Sequence, residues 1–378
     1  MRIIYLFPNF FFIGAQRAAA ATIRKLKLRG WDISVVVFNN AGQMRNELPD
    51  SIPIINLPSI HLISRIPIVR IFMWPFALRK IMSRHKPDYC ISICPQTNFT
   101  MVLYRLIFGK DVLFIGEEHQ HLSNSIINDP ADFKIPWVYL YKISIKYYYK
   151  LDVIRCVSQA SKDDFIDNWG VPESKVKYVY PAFDLDRIHQ RSHGKSRQNE
   201  AIVICSVGRL TSQKNFSLLI QAFHWLKGKT KLNIVLKIAG VGPEMELLNS
   251  LIIKLSLQDE VHLLGFVDYA EEIIASSNLF VMTSIWEGFP ATLVEAMTLG
   301  TPVISVNCQS GPSELIDHGV NGLLVENPDP SAVGQAILKI IENPEIAQSM
   351  CLKAKEKVES FSLNHTVNEF EKLLLSIK

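Results

Sequence analysis

No uninterrupted apolar stretch in this 378-residue chain approaches the roughly 18 residues that a membrane-spanning helix requires, so a bilayer crossing is not expected. Cysteine is sparse: the six residues Cys90, Cys94, Cys156, Cys205, Cys308 and Cys351 show no short paired spacing. That argues against a disulfide framework and a zinc knuckle, and it fits a reducing compartment. Cys90 and Cys94 lie in an apolar run and read as buried thiols. The opening Met1-Arg2-Ile3-Ile4 has too short a basic start for a secretion signal and runs directly into Pro8 and Asn9, so it reads as a first buried strand. Zinc-finger, RNP-like and basic-zipper patterns are also missing, and no nucleic-acid partner is expected.

What is present is a well-folding composition, 48% hydrophobic and 20% charged, long enough for two domains. The net charge of +4 conceals a division. Residues 1–190 hold 24 Lys and Arg against 16 Asp and Glu, and residues 191–378 hold 16 against 20. A basic half beside an acidic half points to an anionic surface as partner. The basic residues are interleaved with Trp, Phe, Tyr, Ile and Leu, a mixture that suits anionic lipid.

Short β-branched runs alternate with longer helical patterns in both halves. Strands are predicted at 3–7, 33–38, 89–93, 112–115 and 153–157, with helices at 15–28, 66–83 and 98–108. Continuous apolar strands joined through helices imply a parallel sheet covered on both faces. The pattern is broken by a polar, aperiodic segment and restarts at 201. The expected organisation is therefore an N-terminal Rossmann-like domain at 1–185, a linker at 186–200, a second Rossmann-like domain at 201–360, and a C-terminal helix at 361–378 packing back on the first domain. Ligands of open parallel sheets bind outside the carboxyl ends of the strands, so polar residues just after strands are the candidates for function.

Three clusters meet that condition. Gly208-Arg209-Leu210-Thr211-Ser212-Gln213-Lys214-Asn215 follows a strand at 201–207, and its two cations can clamp a diphosphate; a solvated loop with ordinary surface charges is the competing reading. Ala239-Gly240-Val241-Gly242-Pro243 is a glycine turn before a helix that can approach a ligand closely or serve structure alone. The third is Trp286-Glu287-Gly288-Phe289-Pro290-Ala291-Thr292-Leu293-Val294-Glu295-Ala296-Met297. Here Pro290 falls near the first helical position, the N–H groups of Ala291, Thr292 and Leu293 can hold an anion, and Glu295 is a carboxylate inside an apolar helix face, costly unless something satisfies it.

These motifs, with Gly319-x-Asn321-Gly322-Leu323-Leu324-Val325, resemble the retaining GT-B glycosyltransferases usually numbered family four, specifically so from 207 to about 325. The resemblance implies a GT-B fold, two Rossmann-like parallel-sheet domains facing across a cleft. It further implies that Arg209 and Lys214 bind a donor diphosphate, that Glu295 accepts from the ribose hydroxyls, and that Glu287 lies against the transferred sugar. The backbone around Phe289, Pro290 and Ala291 would touch sugar and phosphate, with Gly208 and Gly242 in the donor loops. The first-domain glycine-rich loop corresponds to Ile13-Gly14-Ala15-Gln16-Arg17, where only Gly14 remains of two adjacent glycines and Gln16 replaces an acid. The family's first-domain histidine, which the resemblance implies orients the transferred sugar, is matched by His119, with His121 as a nearby rival that could lie on the surface. The run 307–316 resembles a subset that handles hexoses and N-acetylhexosamines in surface-polysaccharide or oligosaccharide assembly, which suggests UDP-GalNAc, UDP-GlcNAc or UDP-galactose as donor.

Chemistry in such enzymes is thought to proceed on one face of the sugar, the departing phosphate taking the acceptor's proton. No bound cofactor is implied, only the UDP-sugar substrate. No metal is implied either: Asp184-Leu185-Asp186 falls in the linker and Asp163-Asp164 at an apparent helix start, where carboxylates favour the helix dipole. Residues 61–80 and 133–150 mix cations with bulky apolar and aromatic side chains, and Lys142, Lys146 and Lys150 recur every fourth residue. Pro67, Pro75 and Pro136 are expected to keep helices there short. These features suggest a lipid-linked glycan acceptor and a cytoplasmic protein lying peripherally on the inner, anionic membrane face. Competing functions are a noncatalytic sugar-nucleotide-binding scaffold or another GT-B enzyme such as an epimerase or phosphorylase.

Overall fold

The computed structural model describes residues 1–11, 14–57, 67–128, 142–194 and 201–377. The chain divides into two compact units, Met1–Phe183 with Leu363–Lys378, and Asp184–Ser362.

The first unit is built on a seven-stranded parallel sheet of β1 (Arg2–Phe7), β2 (Asp32–Val37), β3 (Ile54–Asn56), β4 (Tyr89–Ser92), β5 (Leu113–Glu118), β6 (Val153–Cys156) and β7 (Val176–Tyr178), in the order β3-β2-β1-β4-β5-β6-β7. Both faces are buried, as near-continuous apolar strands require. Side chains alternate across the sheet: Ile3, Tyr5 and Phe7 join one core with Ile33, Val35 and Val37, while Ile4, Leu6 and Val36 join the other with Cys90, Phe114 and Ile154. The first core is closed by helices Gly14–Leu28 and Leu363–Ser376. The C-terminal helix contributes Val367, Phe370 and Leu374 to that core, each worth about 1.5–3 kcal/mol of burial. It is also tied by polar contacts, since Trp31 Nε1 donates to Glu371 Oε1 at 2.7 Å and Tyr89 Oη to the Leu374 carbonyl at 2.8 Å.

Helices Pro67–His85 and Pro95–Phe108 cover the second core. Pro75 lies inside the first of them, within the helix expected at 66–83. A mid-helix proline costs about 3 kcal/mol, and burial of Leu78, Ile81 and Met82 on the same helix offsets that cost. The Asp163-Asp164 pair is not at a helix start. Helix Gln159–Asp167 is capped five residues before Asp163 by Ser158, which accepts from Ser161 N–H at 3.1 Å. Strands β3 and β7, three residues each, are too short to leave a periodic signature.

The second unit carries a six-stranded parallel sheet of β8 (Ile202–Val207), β9 (Ile234–Ala239), β10 (Val261–Gly265), β11 (Leu279–Met282), β12 (Val303–Val306) and β13 (Leu323–Val325), in the order β10-β9-β8-β11-β12-β13. The expected linker starts as helix Leu185–Arg191 within this unit, with Asp184 as its N-cap accepting from Arg187 N–H at 3.2 Å. Asp184 is thus a helix cap rather than linker chemistry. Residues 195–200 fall outside the described residues. In each sheet the strand order reverses beside the first strand, between β1 and β4 and between β8 and β11. Such reversals open a crevice at the carboxyl ends of the strands.

Candidate functional site

The reversal between β8 and β11 brings two of the predicted clusters together. After β8 the chain passes Gly208 and Arg209, makes a 3-10 turn at Ser212–Lys214, and enters helix Phe216–Lys227 through Asn215 in the left-handed region at φ 49°. After β11 it runs through Thr283 to Glu287 and enters helix Ala291–Leu299. The two loops are stitched by Ile285 N–H to the Gln213 carbonyl at 2.8 Å and by Gln213 Nε2 to the Trp286 carbonyl at 2.9 Å. Thr283 Oγ1 lies 3.1 Å from the Lys214 carbonyl and 3.0 Å from that of Asn215.

This stitching places Lys214 Nζ 2.5 Å from Glu287 Oε1, an ion pair across 73 residues of sequence with only 20% and 8% of the two side chains exposed. Arg209 is exposed, so the first cluster presents one cation at the surface and one, Lys214, held beneath it. Cys308 lies close by: burial, then the Glu287 charge, pushes its thiol up to about 12, which leaves it an inert apolar wall. The loop from 286 to 290 is fixed from the other side by a bridge between Trp286 and Gln309 and by Ser310 Oγ donating to the Gly288 carbonyl at 2.8 Å.

Helix Ala291–Leu299 follows Pro290, which is its N-cap, next to the first helical position. Of the three N–H groups expected to face an anion, Leu293 N–H turns back to the Pro290 carbonyl at 3.1 Å. Those of Ala291 and Thr292 have no intrahelical partner, as the first turn of any helix dictates. Glu295 sits one turn further in, buried to 4% exposure beside Val294 and Ala296. The Phe289 ring packs on Phe361 at 5.3 Å, so the backbone of Phe289 and not its ring is what the loop offers a ligand.

The glycine turn after β9 has a structural duty that spacing alone leaves open. A Cβ at Gly240 would stand 1.8 Å from the Gly208 carbonyl oxygen and one at Gly242 would stand 2.2 Å from that of Leu210. The loops after β8 and β9 therefore touch backbone to backbone, joined by Leu210 N–H to the Val241 carbonyl at 3.0 Å. Asn321 of the last motif is structural as well: its Nδ2 donates to the Leu315 carbonyl at 3.0 Å and its Oδ1 accepts from Asp317 N–H at 2.8 Å.

In the first unit, Gly14 opens helix Gly14–Leu28 and Ile13 lies outside the described residues. The buried Gln16 donates through Nε2 to the Asn9 side chain at 3.0 Å and to its carbonyl at 3.2 Å, bracing the loop after β1. His119 stands immediately past the carboxyl end of β5, half-buried, with Nε2 3.2 Å from Glu117 Oε2. The rival His121 is not a surface residue: it is 8% exposed and faces Asp164 at 3.6 Å. Asp164 in turn accepts from Ser123 N–H at 3.0 Å and Asn168 Nδ2 at 2.8 Å, a network that reads as architecture. Glu117 and Arg155 escaped the sequence reading, although charged residues within otherwise apolar strands are the signal that marks them. Among the described residues, no group of three or more His, Cys, Asp or Glu is placed to hold a metal ion.

Comparison with known proteins gives a consistent picture. Residues 13–187 match the family described as Glycosyltransferase Family 4, and residues 189–357 match Glycosyl transferases group 1. Over 96% of both chains, the protein is 26% identical to the Campylobacter jejuni N-acetylgalactosamine-N,N'-diacetylbacillosaminyl-diphospho-undecaprenol 4-alpha-N-acetylgalactosaminyltransferase. A second Campylobacter jejuni enzyme, a GalNAc-alpha-(1->4)-GalNAc-alpha-(1->3)-diNAcBac-PP-undecaprenol alpha-1,4-N-acetyl-D-galactosaminyltransferase, is 24% identical over 100% of this chain and 99% of its own. Among solved structures, Anabaena HepE in complex with UDP and glucose superposes over the full length of both chains with a TM-score of 0.79 at 19% identity. The same two-Rossmann-domain fold class is therefore established for this chain.

Proposed function

We propose that this chain, which belongs to the GT-B glycosyltransferases of the Family 4 and group 1 type, moves an N-acetylhexosamine or hexose from a UDP-sugar to a lipid-linked glycan during assembly of a surface polysaccharide or oligosaccharide, with retention at the anomeric carbon. The observation that carries the reading is the meeting of Lys214, Glu287 and the start of helix Ala291–Leu299 at the strand-order reversal of the second sheet. Arg209, Lys214 and the N–H groups of Ala291 and Thr292 form a set of donors for a diphosphate. Glu295 takes the ribose hydroxyls, and Glu287 takes hydroxyls of the sugar, whose ring gains positive charge in the transition state.

In the reaction, the bond between the anomeric carbon and the β-phosphate oxygen breaks as the acceptor oxygen bonds to the same face of the sugar. The acceptor's proton passes to the leaving β-phosphate oxygen, and the products are UDP and a glycan longer by one sugar. The cationic donors stabilise charge on the departing phosphate, the kind of contribution worth about 3–4 kcal/mol for a single donor. Lys214 pairs with Glu287; in the reaction the diphosphate takes over Lys214 and leaves Glu287 to the sugar. The two Campylobacter relatives are named for N-acetylgalactosamine and undecaprenol-linked acceptors, which favours UDP-GalNAc as donor here. The decisive assay is UDP release from UDP-GalNAc, UDP-GlcNAc and UDP-galactose with a bacterial lipid extract as acceptor. Lipid-stimulated release with one donor is expected, and none with any of the three overturns the reading.

The lipid-linked acceptor brings the first unit to an anionic membrane. Lys142, Lys146 and Lys150 are exposed, interspersed with exposed Ile143, Tyr147 and Tyr149, while Ile145 and Tyr148 are buried as anchors. The helix expected to carry the lysines gives way to a 3-10 turn at Tyr148–Lys150, so the fourth-residue spacing is not one continuous helical stripe. Helices Pro67–His85 and Pro95–Phe108 add exposed Phe72, Phe76, Leu106 and Ile107. Among the described residues no helix is long and apolar enough to cross a membrane. Each lysine near an anionic bilayer contributes about 1 kcal/mol. Changing all three lysines to Glu is therefore expected to move the protein from pellet to supernatant in co-sedimentation with phosphatidylglycerol-containing liposomes. Equal pelleting of wild type and triple variant removes these lysines as an anchor.

A further inference from the structure

Beneath His119 the first unit holds a buried charged assembly that the reaction as described above does not use. Glu117 is the penultimate residue of β5 and is 1% exposed. One carboxylate oxygen accepts from Arg155 Nη1 at 2.5 Å and the other faces His119 Nε2 at 3.2 Å. Arg155, on the neighbouring strand β6 and 3% exposed, also donates to the Val179 carbonyl through Nε at 3.2 Å and to the Tyr180 carbonyl through Nη2 at 2.9 Å. Its guanidinium stacks over the Phe370 ring of the C-terminal helix at 4.7 Å. The Tyr5 hydroxyl also lies in this interior, with no hydrogen-bond partner among the described residues. Adjacent Glu118 points the other way, accepting from Asn98 Nδ2 at 2.6 Å and Tyr148 Oη at 3.0 Å, as alternation along a strand requires.

Two charges sealed in the interior are costly, and replacing such a pair with apolar residues is often neutral or stabilising. A stability role alone is therefore a poor reason for the pair. Burial by itself would push the Glu117 carboxyl up, but Arg155 and the hydrogen bond from His119 outweigh it and hold the group below the usual carboxylate range. Glu117 is thus an ionised carboxylate, which accepts hydrogen bonds and donates none. A neutral imidazole facing it must carry its proton on Nε2, and the other nitrogen keeps a lone pair.

We propose that Glu117, clamped by Arg155, is a positioning residue that fixes the tautomer and ring orientation of His119, so that Nδ1 is the nitrogen offered to a hydroxyl of the transferred sugar. The inference rests on the reading of His119 as a sugar-side residue. Arg155 is in this sense a second positioning residue, and Phe370 ties the end of the chain to the histidine through two intervening side chains. Metal-bound histidines are held by carboxylates in the same manner, at a cost of tenfold to a hundredfold when the carboxylate is lost.

The test uses the full chain with His119→Ala, Glu117→Gln and the double variant Glu117→Gln/Arg155→Met, the last leaving no unpaired buried charge. UDP release from UDP-GalNAc is measured, or from whichever donor in the panel supports turnover, together with UDP affinity. Histidine-¹⁵N NMR of the ring nitrogens is recorded in parallel, the His119 signals being those missing from His119→Ala. In the double variant we expect kcat about tenfold to a hundredfold lower, KM for the donor and UDP affinity within about twofold, and a His119 spectrum changed from Nε2–H to a mixture of tautomers. A folded double variant with wild-type kcat and the His119 spectrum unchanged overturns the positioning role. Wild-type kcat in His119→Ala instead removes the sugar-side reading of His119, whatever the spectra show. Should Glu117→Gln unfold, the double variant alone decides the matter.

Discussion

Lys214→Ala is expected to lower kcat at saturating donor by about a hundredfold or more, the usual consequence of losing one donor aimed at charge that develops in the transition state. Lys214 is suited to that role by being held. Its stem lies along Gly208, where a Cβ would approach the lysine chain to 3.3 Å, and its ammonium is fixed by Glu287 at 2.5 Å. Removing it leaves Glu287 buried with its partner gone, so some loss of thermal stability accompanies the loss of turnover. Arg209→Ala separates the two effects. That side chain is exposed, so folding should be unchanged while turnover falls to a similar degree. Melting by circular dichroism together with UDP-release kinetics checks both variants, and near-wild-type kcat in the two of them removes the diphosphate clamp.

The second large effect is a division of labour between two carboxylates eight positions apart. Glu287→Gln is expected to reduce kcat by a factor on the order of a hundred while UDP affinity stays within about threefold, because in the proposed mechanism its carboxylate acts on the sugar as positive charge grows there. Glu295→Gln is expected to weaken UDP binding about tenfold to a hundredfold, the equivalent of about 1.5–3 kcal/mol for a hydrogen bond to a charged group. The geometry favours this separation: Glu287 lies in the loop before the helix and is engaged by Lys214, whereas Glu295 is buried a full turn inside helix Ala291–Leu299. Calorimetric titration with UDP distinguishes the two. Equal UDP affinity in wild type and Glu295→Gln ends the assignment of Glu295 to the ribose.

Much of the architecture could be read before any coordinates. The apolar runs of β1, β2, β8 and β9 and the helices between them carry a local signal, since each residue's burial on a covered strand follows from its own hydrophobicity. The short edge strands β3, β7 and β13 do not, because three residues hold no period. Loops just past the strands were legible as candidate sites for a similar reason: Arg209, Lys214, Glu287 and Glu295 interrupt apolar context or sit at glycine turns. One misreading came where two local signals compete: Asp163-Asp164 reads as a helix start, whereas Ser158, five residues before Asp163, is the actual cap of helix Gln159–Asp167.

By itself, the sequence determined that there are two parallel-sheet units, where their longer strands lie and which loops carry charge, for these depend on side chains a few positions apart. Only the tertiary structure decided which of those charges meet. Lys214 and Glu287 are joined because β8 and β11 are neighbours where the strand order reverses. Trp31 and Arg29 reach Glu371, more than three hundred residues away, because the last helix returns to the first sheet. Glu117 finds Arg155 beside it because β5 pairs in register with β6, Glu117 against Arg155. Strand order and register are properties of the whole chain, fixed by how its layers pack, and no window of sequence contains them.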